Sequence, residues 1–387
     1  MKNSESNIAV IVIVTATIIL CSSNAGVAQE SAGHPETTIT FVTSALERIL
    51  YNPELVLEEE ETFWVDEKVQ VLAQSWIDEV GVRNARNKWR KKVRKLAELP
   101  HEEREGHQYR QMTDYIKTHE RKFLDSAVPH LLSYVPETGK SLSRPIYFTA
   151  FIPPRAFANS EGIVIDVASR YWRGNPDNIL NCLVHEFFHV CYSWFRADRT
   201  EQPVGHEFLY KMMEYLQNEG LATYVGHNAL PIFPAPDEKD YQLLESPAEV
   251  TRLLKELNVL FDAVGTVSSE ELRKANWDTG IEGRAYYIVG AHMAGVIEDS
   301  LGREALHQTL KQGPRSFIES YNTLVQEDMT IRYPDEGTIH EREEAMHPSG
   351  GVGSRQSSTL PRFPHRINGE WTFASITMSP VHMNYRE

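Results

Sequence analysis

The 387-residue chain holds only three cysteines, Cys21, Cys182 and Cys191. Cys182 and Cys191 fall on one expected helix, about 13–14 Å apart along its axis and beyond disulfide reach. A disulfide framework is thereby excluded, and neither cysteine has the spacing of a second metal site. Positive charge is scarce as well: 39 Lys and Arg against 54 Asp and Glu leave a net charge of −15. That balance disfavours nucleic acid and anionic membrane surfaces as partners. The one basic run, Lys88 to Lys95, carries Trp89, Val93 and Leu96 at helical spacing. It reads as the solvated face of a helix, opposite the acidic run Glu58 to Glu61. No internal repeat of solenoid period is present. Beyond Leu20 no stretch is long and apolar enough to span a bilayer.

The amino terminus has one short apolar run, Ile8 to Leu20, broken only by Thr15 and Thr17 and followed by small residues through Ala28. A run of this length suits a secretory leader better than a membrane span. Residues 1–28 are expected to be a signal peptide, cleaved after Ala25 or Ala28. An extracytoplasmic protein with no stable membrane insertion follows, an uncleaved anchor being the lesser alternative.

What the chain does have is His185-Glu186-Phe187-Phe188-His189, an H-E-x-x-H pattern inside the apolar run Ile179 to Phe195. By chance this pattern arises in roughly one chain in twenty of such histidine content. Residues four apart share a helix face, so both imidazoles can point at one metal ion. Glu186 is rotated about 100° from His185, which places it beside the ion as a general base for a water. Three ionisable groups on an apolar helix are costly to bury without a partner, and a metal supplies one. Asn175 can cap this helix, Pro176 fits its first position, and Asp177 lies where the dipole favours an anion.

Catalytic zinc takes three protein ligands and keeps one position open. A histidine six residues past His189 is missing, since Phe195 stands there. The expected helix His206 to Val225 offers Glu214 on a mostly polar face and Glu219 on an apolar one. A carboxylate in the apolar face needs compensation, which selects Glu219. A later expected helix, Arg284 to Leu301, carries Tyr287 and His292. On it Gly283, Tyr287, Gly290, Ala291 and Ala294 share a face that lets another helix come close.

The stretch Asn218-Glu219-Gly220-Leu221-Ala222-Thr223-Tyr224-Val225 resembles the second zinc motif of gluzincin peptidases, the N-E-G-F-A-S-Y of zinc aminopeptidases. The region from Ile146 to Val325, with Gly283 to Met293, further resembles an uncharacterised bacterial family described as zinc-dependent peptidases. The likeness implies one zinc ion per chain on His185, His189 and Glu219, with Glu186 as base, Tyr287 or His292 as donor to the oxyanion formed when water adds to the peptide carbonyl, and a peptide or protein substrate. It also implies a strand beside the cleft whose edge pairs with substrate. The chain departs from that pattern in three ways: a longer gap between His189 and Glu219, no G-x-M-E-N segment, and Thr223 where thermolysin-like enzymes have Asp.

The expected fold is mainly α with a small β-sheet (α+β): a zincin-like core with the H-E-x-x-H helix and a second, glutamate-bearing helix. Its expected parts are a helical region 29–145 with blocks Phe41–Leu50, Glu67–Val80, Lys88–Leu99 and Tyr109–Leu132, a catalytic core 146–332, and a poorly ordered tail 333–387. Pro145–Phe151 and Gly162–Asp166 read as strands. The competing function is a non-catalytic binding or scaffold module whose closed zinc site would take His206 or His227 as fourth ligand.

Overall fold

The computed structural model describes residues 38–65, 82–105, 108–136, 142–152, 155–158, 162–172, 174–198 and 207–346. The expected leader, the block Glu67–Val80, His206 and residues 347–387 lie outside the described residues. All of the described residues belong to one compact unit, Pro35–Glu387. None of their helices is long and apolar enough to cross a membrane.

The architecture is mainly helical with one four-stranded sheet, ordered β1 (Thr38–Val42), β2 (Ser143–Thr149), β4 (Ile163–Asp166), β3 (Ala156–Ala158). β1, β2 and β4 run parallel and β3 runs antiparallel to β4. The interior strand β4 reads Ile-Val-Ile-Asp and is buried throughout, as a strand covered on both faces must be.

Two strands were absent from the sequence reading, and a third is shifted. Phe41 does not begin a helix: Thr38–Val42 is a strand, and the helix is Ser44–Tyr51. Phe41 mimics a helical repeat with Ala45 and Leu46, but Thr-Ile-Thr-Phe-Val is β-branched and aromatic, which fits a pleated surface. β3 lies within what read as a connecting loop. β2 stops short of Phe151, whose φ of 71° breaks the strand while its N–H donates to Asp166 Oδ1 at 2.8 Å. The region from residue 333 also holds a described helix, Glu336–Met346, capped by Asp335 and fixed by the buried Ile339.

The helix Val82–Ala97 buries Trp89, Val93 and Leu96, and its Arg86 and Arg90 pair with Glu61 and Glu60 at 2.8 and 2.6 Å. The basic run therefore faces the acidic one, as its spacing suggested. The helix Gln108–Lys122 continues through a π segment, Phe123–Ala127, into Val128–Leu132.

The centre of the unit is a crossing between the helices Glu207–Asn228 and Ala285–Leu301. A Cβ on Gly220 would overlap the backbone of Gly290, and one on Gly290 would overlap Leu216 O and the Gly220 backbone. The small-residue face read from the sequence is this contact. Gly290→Ala should force the backbones apart and cost about 3 kcal/mol or more, the upper range for overpacking, because the obstacle is main chain. Urea unfolding measures it, and a loss below about 1 kcal/mol would mean the helices separate freely.

Candidate metal centre

The helix Pro176–Asp198 starts where its sequence says it should: Asn175 Oδ1 accepts from Asp177 N at 3.1 Å. Asn181, one turn before His185, donates to Gly226 O and Phe233 O and accepts from Tyr241 Oη at 2.6 Å. These bonds fix the rotation of the helix relative to the glutamate-bearing one. His185 and His189 consequently face Glu219. Their Nε2 atoms lie 3.1 Å apart, and Glu219 Oε2 is 3.5 Å from each.

Zinc with ligand bonds near 2.0–2.1 Å in tetrahedral array holds its donors about 3.3 Å apart. The three observed separations fall around that value. Glu219 Oε2 has no hydrogen-bond partner although the residue is 1% exposed. Among the described residues, His185, His189 and Glu219 form the cluster that could hold a metal ion. His189 Nδ1 meets Asn218 Oδ1 at 3.0 Å. A proton on Nδ1 donated to that oxygen leaves the Nε2 lone pair facing the cluster.

A family model described as "putative zinc dependent peptidase (DUF5700)" matches residues 82–330. The chain belongs to this family. No curated protein and no solved structure matches it.

Within this DUF5700 chain, Glu186 is fully buried and neither carboxylate oxygen has a partner. Burial pushes its pKa up to about 7, with the Glu219 charge adding and His189 and Arg155 opposing. Burial pushes His185 down to about 4 against the pull of the nearby Glu219 carboxylate. His189 goes the other way: burial opposes its charge, but Glu219, Glu186 and Asn218 outweigh it and hold the imidazole at about 9. Glu219 in turn is disfavoured as an anion by burial, yet the two imidazoles keep its carboxyl well below the usual range. Without a metal, one proton on His189 thus answers the Glu219 charge.

The structure brings one of the two oxyanion candidates here. Tyr287 is fully buried, its ring lies parallel to His185 with centroids 6.3 Å apart, and its hydroxyl has no hydrogen-bond partner. His292, about 140° further round the same helix, packs its ring against Tyr321 at 6.0 Å. Glu214 does not join the cluster. His227 is turned toward Glu245 at 3.4 Å and against the Tyr241 ring.

Sequence reasoning missed the buried pair Arg284–Asp240. Arg284 has a left-handed φ of 66° at the start of its helix, donates Nε to Asp240 Oδ1 at 3.0 Å, and lies 3.2 Å over the Tyr287 ring. Its signal was the quoted Gly283-Arg284 step, but nothing in the sequence pairs it with a residue 44 positions away.

Two expected outcomes follow from this geometry. Glu219→Ala should lose zinc at chelator levels that spare the wild type, whereas Glu214→Ala should keep near one zinc per chain. Zinc content by elemental analysis checks this, and zinc retained in Glu219→Ala would exclude it as a donor. Because His189 stays protonated below about 9, zinc competes with that proton. Affinity should therefore rise about tenfold per pH unit up to that point, with about one proton or more released per ion at pH 7. Calorimetry in buffers of different ionisation enthalpy measures the release, and its absence would contradict the proton on His189.

Proposed function

We propose that this protein is a single-zinc peptidase of gluzincin type that hydrolyses peptide bonds, with Glu186 as general base. The observation that carries this reading is the convergence of three donors at tetrahedral spacing beside a buried carboxylate that has no partner of its own. His185, His189 and Glu219 would hold the zinc. Bound there, zinc would supply Lewis acidity to a water and to the peptide carbonyl.

The remaining work falls to the chain. Glu186, with a pKa near 7 in the metal-free site, takes a proton from the attacking water and delivers it to the leaving amine nitrogen. Tyr287 donates its free hydroxyl to the oxyanion, held in place by Arg284 over its ring and His185 beside it. Asn218 keeps His189 in the tautomer that presents Nε2. The strand β3, packed on the motif helix and the outermost strand on its side of the sheet among the described residues, offers its edge to an extended peptide. The expected strands β2 and β4 are both interior and cannot do this.

The competing reading, a scaffold with a closed zinc site, needs a fourth protein ligand. Among the described residues none joins the three, and Glu186 would have no role in such a site. The leader-like residues 1–28 support an extracytoplasmic location.

Glu186→Gln should keep its zinc and lose peptide hydrolysis by about 10²–10⁴-fold, since general base catalysis is removed without disturbing a ligand. Tyr287→Phe should lower kcat by about 10²–10³-fold with little change in KM. Turnover of a mixed peptide library with and without chelator reads both. Unchanged hydrolysis by zinc-loaded Glu186→Gln would sink the mechanism.

A further inference from the structure

Two part-buried arginines lie near the cluster, and they differ in how closely their charge is answered. Arg284 is spent on Asp240, to which both Nε and Nη2 donate. Arg155 is not. It stands immediately before β3, its carbonyl accepting from Asp166 N at 2.8 Å, so its backbone is fixed. Its guanidinium lies 3.3 Å over the Tyr171 ring and its side chain is 9% exposed, yet Nε and Nη1 have no hydrogen-bond partner. The carboxylate facing it, Glu238 Oε2, is 3.6 Å from Nη1, too far for a hydrogen bond. Glu238 is otherwise engaged: Oε1 accepts from Tyr171 Oη and from Asp240 N.

A buried guanidinium with two nitrogens unmatched is an expensive arrangement unless a ligand completes it. Its place says which ligand. β3 packs on the motif helix, and Arg155 is the residue immediately before β3. Arg155 therefore lies beside the motif helix, which carries the general base. In an unmodified peptide the only anions are the C-terminal carboxylate and the side chains of Asp and Glu. We infer that Arg155 recognises a substrate carboxylate held close to the scissile bond, a reading that rests on the peptidase assignment. The incoming carboxylate takes the hydrogen bonds that Glu238 leaves unmade, while Glu238 keeps those from Tyr171 and Asp240.

The test uses the full-length, zinc-loaded protein and one acetylated peptide sequence in three forms: free acid, C-terminal amide, and amide with an internal Glu near the cleavage site. The wild type should favour one carboxylate form over the neutral amide by about 10- to 100-fold in kcat/KM, the worth of hydrogen bonds to a charged group. Preference for the free acid means a carboxypeptidase, and preference for the internal Glu means an acid-selective endopeptidase. In Arg155→Gln the preference should vanish, and in Arg155→Lys it should shrink. A purely structural role would instead lower the melting temperature of Arg155→Gln and leave the ratio untouched. Should Arg155→Gln fail to fold, equal rates for all three forms in the wild type still overturn the inference.

Binding of the same peptides to zinc-loaded Glu186→Gln, by calorimetry, separates this inference from the mechanism. If no peptide is cleaved, the peptidase reading falls. A free acid or internal Glu that still binds at least about tenfold tighter than the amide, only when Arg155 is present, upholds the carboxylate site. A carboxylate seated on the metal instead would keep its advantage without Arg155 and overturn it.

Discussion

The contact between Gly220 and Gly290 sets the distance between two helices, and the centre is built around that distance. Glu219 immediately precedes one glycine, and Tyr287 sits one turn before the other. A single close approach of main chains thus delivers both the third donor and the unpartnered hydroxyl to the H-E-x-x-H helix. Side chains longer than hydrogen at the crossing would widen it, and a wider crossing would carry Glu219 out of reach of the imidazoles. Shape at one backbone contact is translated into ligand geometry with no intervening flexible link.

The electrostatics obey the same economy. Four ionisable groups, His185, Glu186, His189 and Glu219, are buried together on apolar helices. An unanswered charge in such surroundings is far costlier than a shared proton or a divalent ion. Burial opposes charge on either imidazole while the Glu219 carboxylate favours it, and the imidazoles in turn hold Glu219 as an anion. Arg284 and Asp240 neutralise each other beside it, so the pair steadies Tyr287 without adding net charge. A cation entering between the three donors displaces a proton rather than opening a new site, which ties metal loading to folding stability.

Much of this was legible in the sequence because it rests on local periodicity. The spacing of His185 and His189, the Asn175 cap, the apolar setting of Glu219 and the small face around Gly290 all depend on residues within a few turns of one another. What stayed hidden depends on distant partners. β1 is a strand because β2 is there to pair with it, 105 residues on from Thr38 to Ser143. β3 is three residues long, too short for a pattern. Tyr287 and His292 looked equivalent on one helix, and only packing against Tyr321 separates them. Arg155 had no signature at all, since an arginine acquires meaning from the groups it fails to satisfy.

Those distant partners also decide what the segment before residue 145 is. Phe123 packs among Phe41 of β1, Phe233, and Phe187, the third residue of the H-E-x-x-H pattern, with ring centroids 5.7, 6.1 and 5.8 Å away. Tyr115 donates to Asp177 in the first turn of the motif helix at 2.6 Å, and His130 Nε2 meets Val225 O at 3.1 Å. β1 hydrogen-bonds along the full length of its register with β2. The family match itself begins at residue 82, well before that point. This segment packs on the motif helix through Phe187, two residues from each histidine and so on the face turned away from them. Its loss would expose the back of that helix and release the rotation that aims both imidazoles at Glu219.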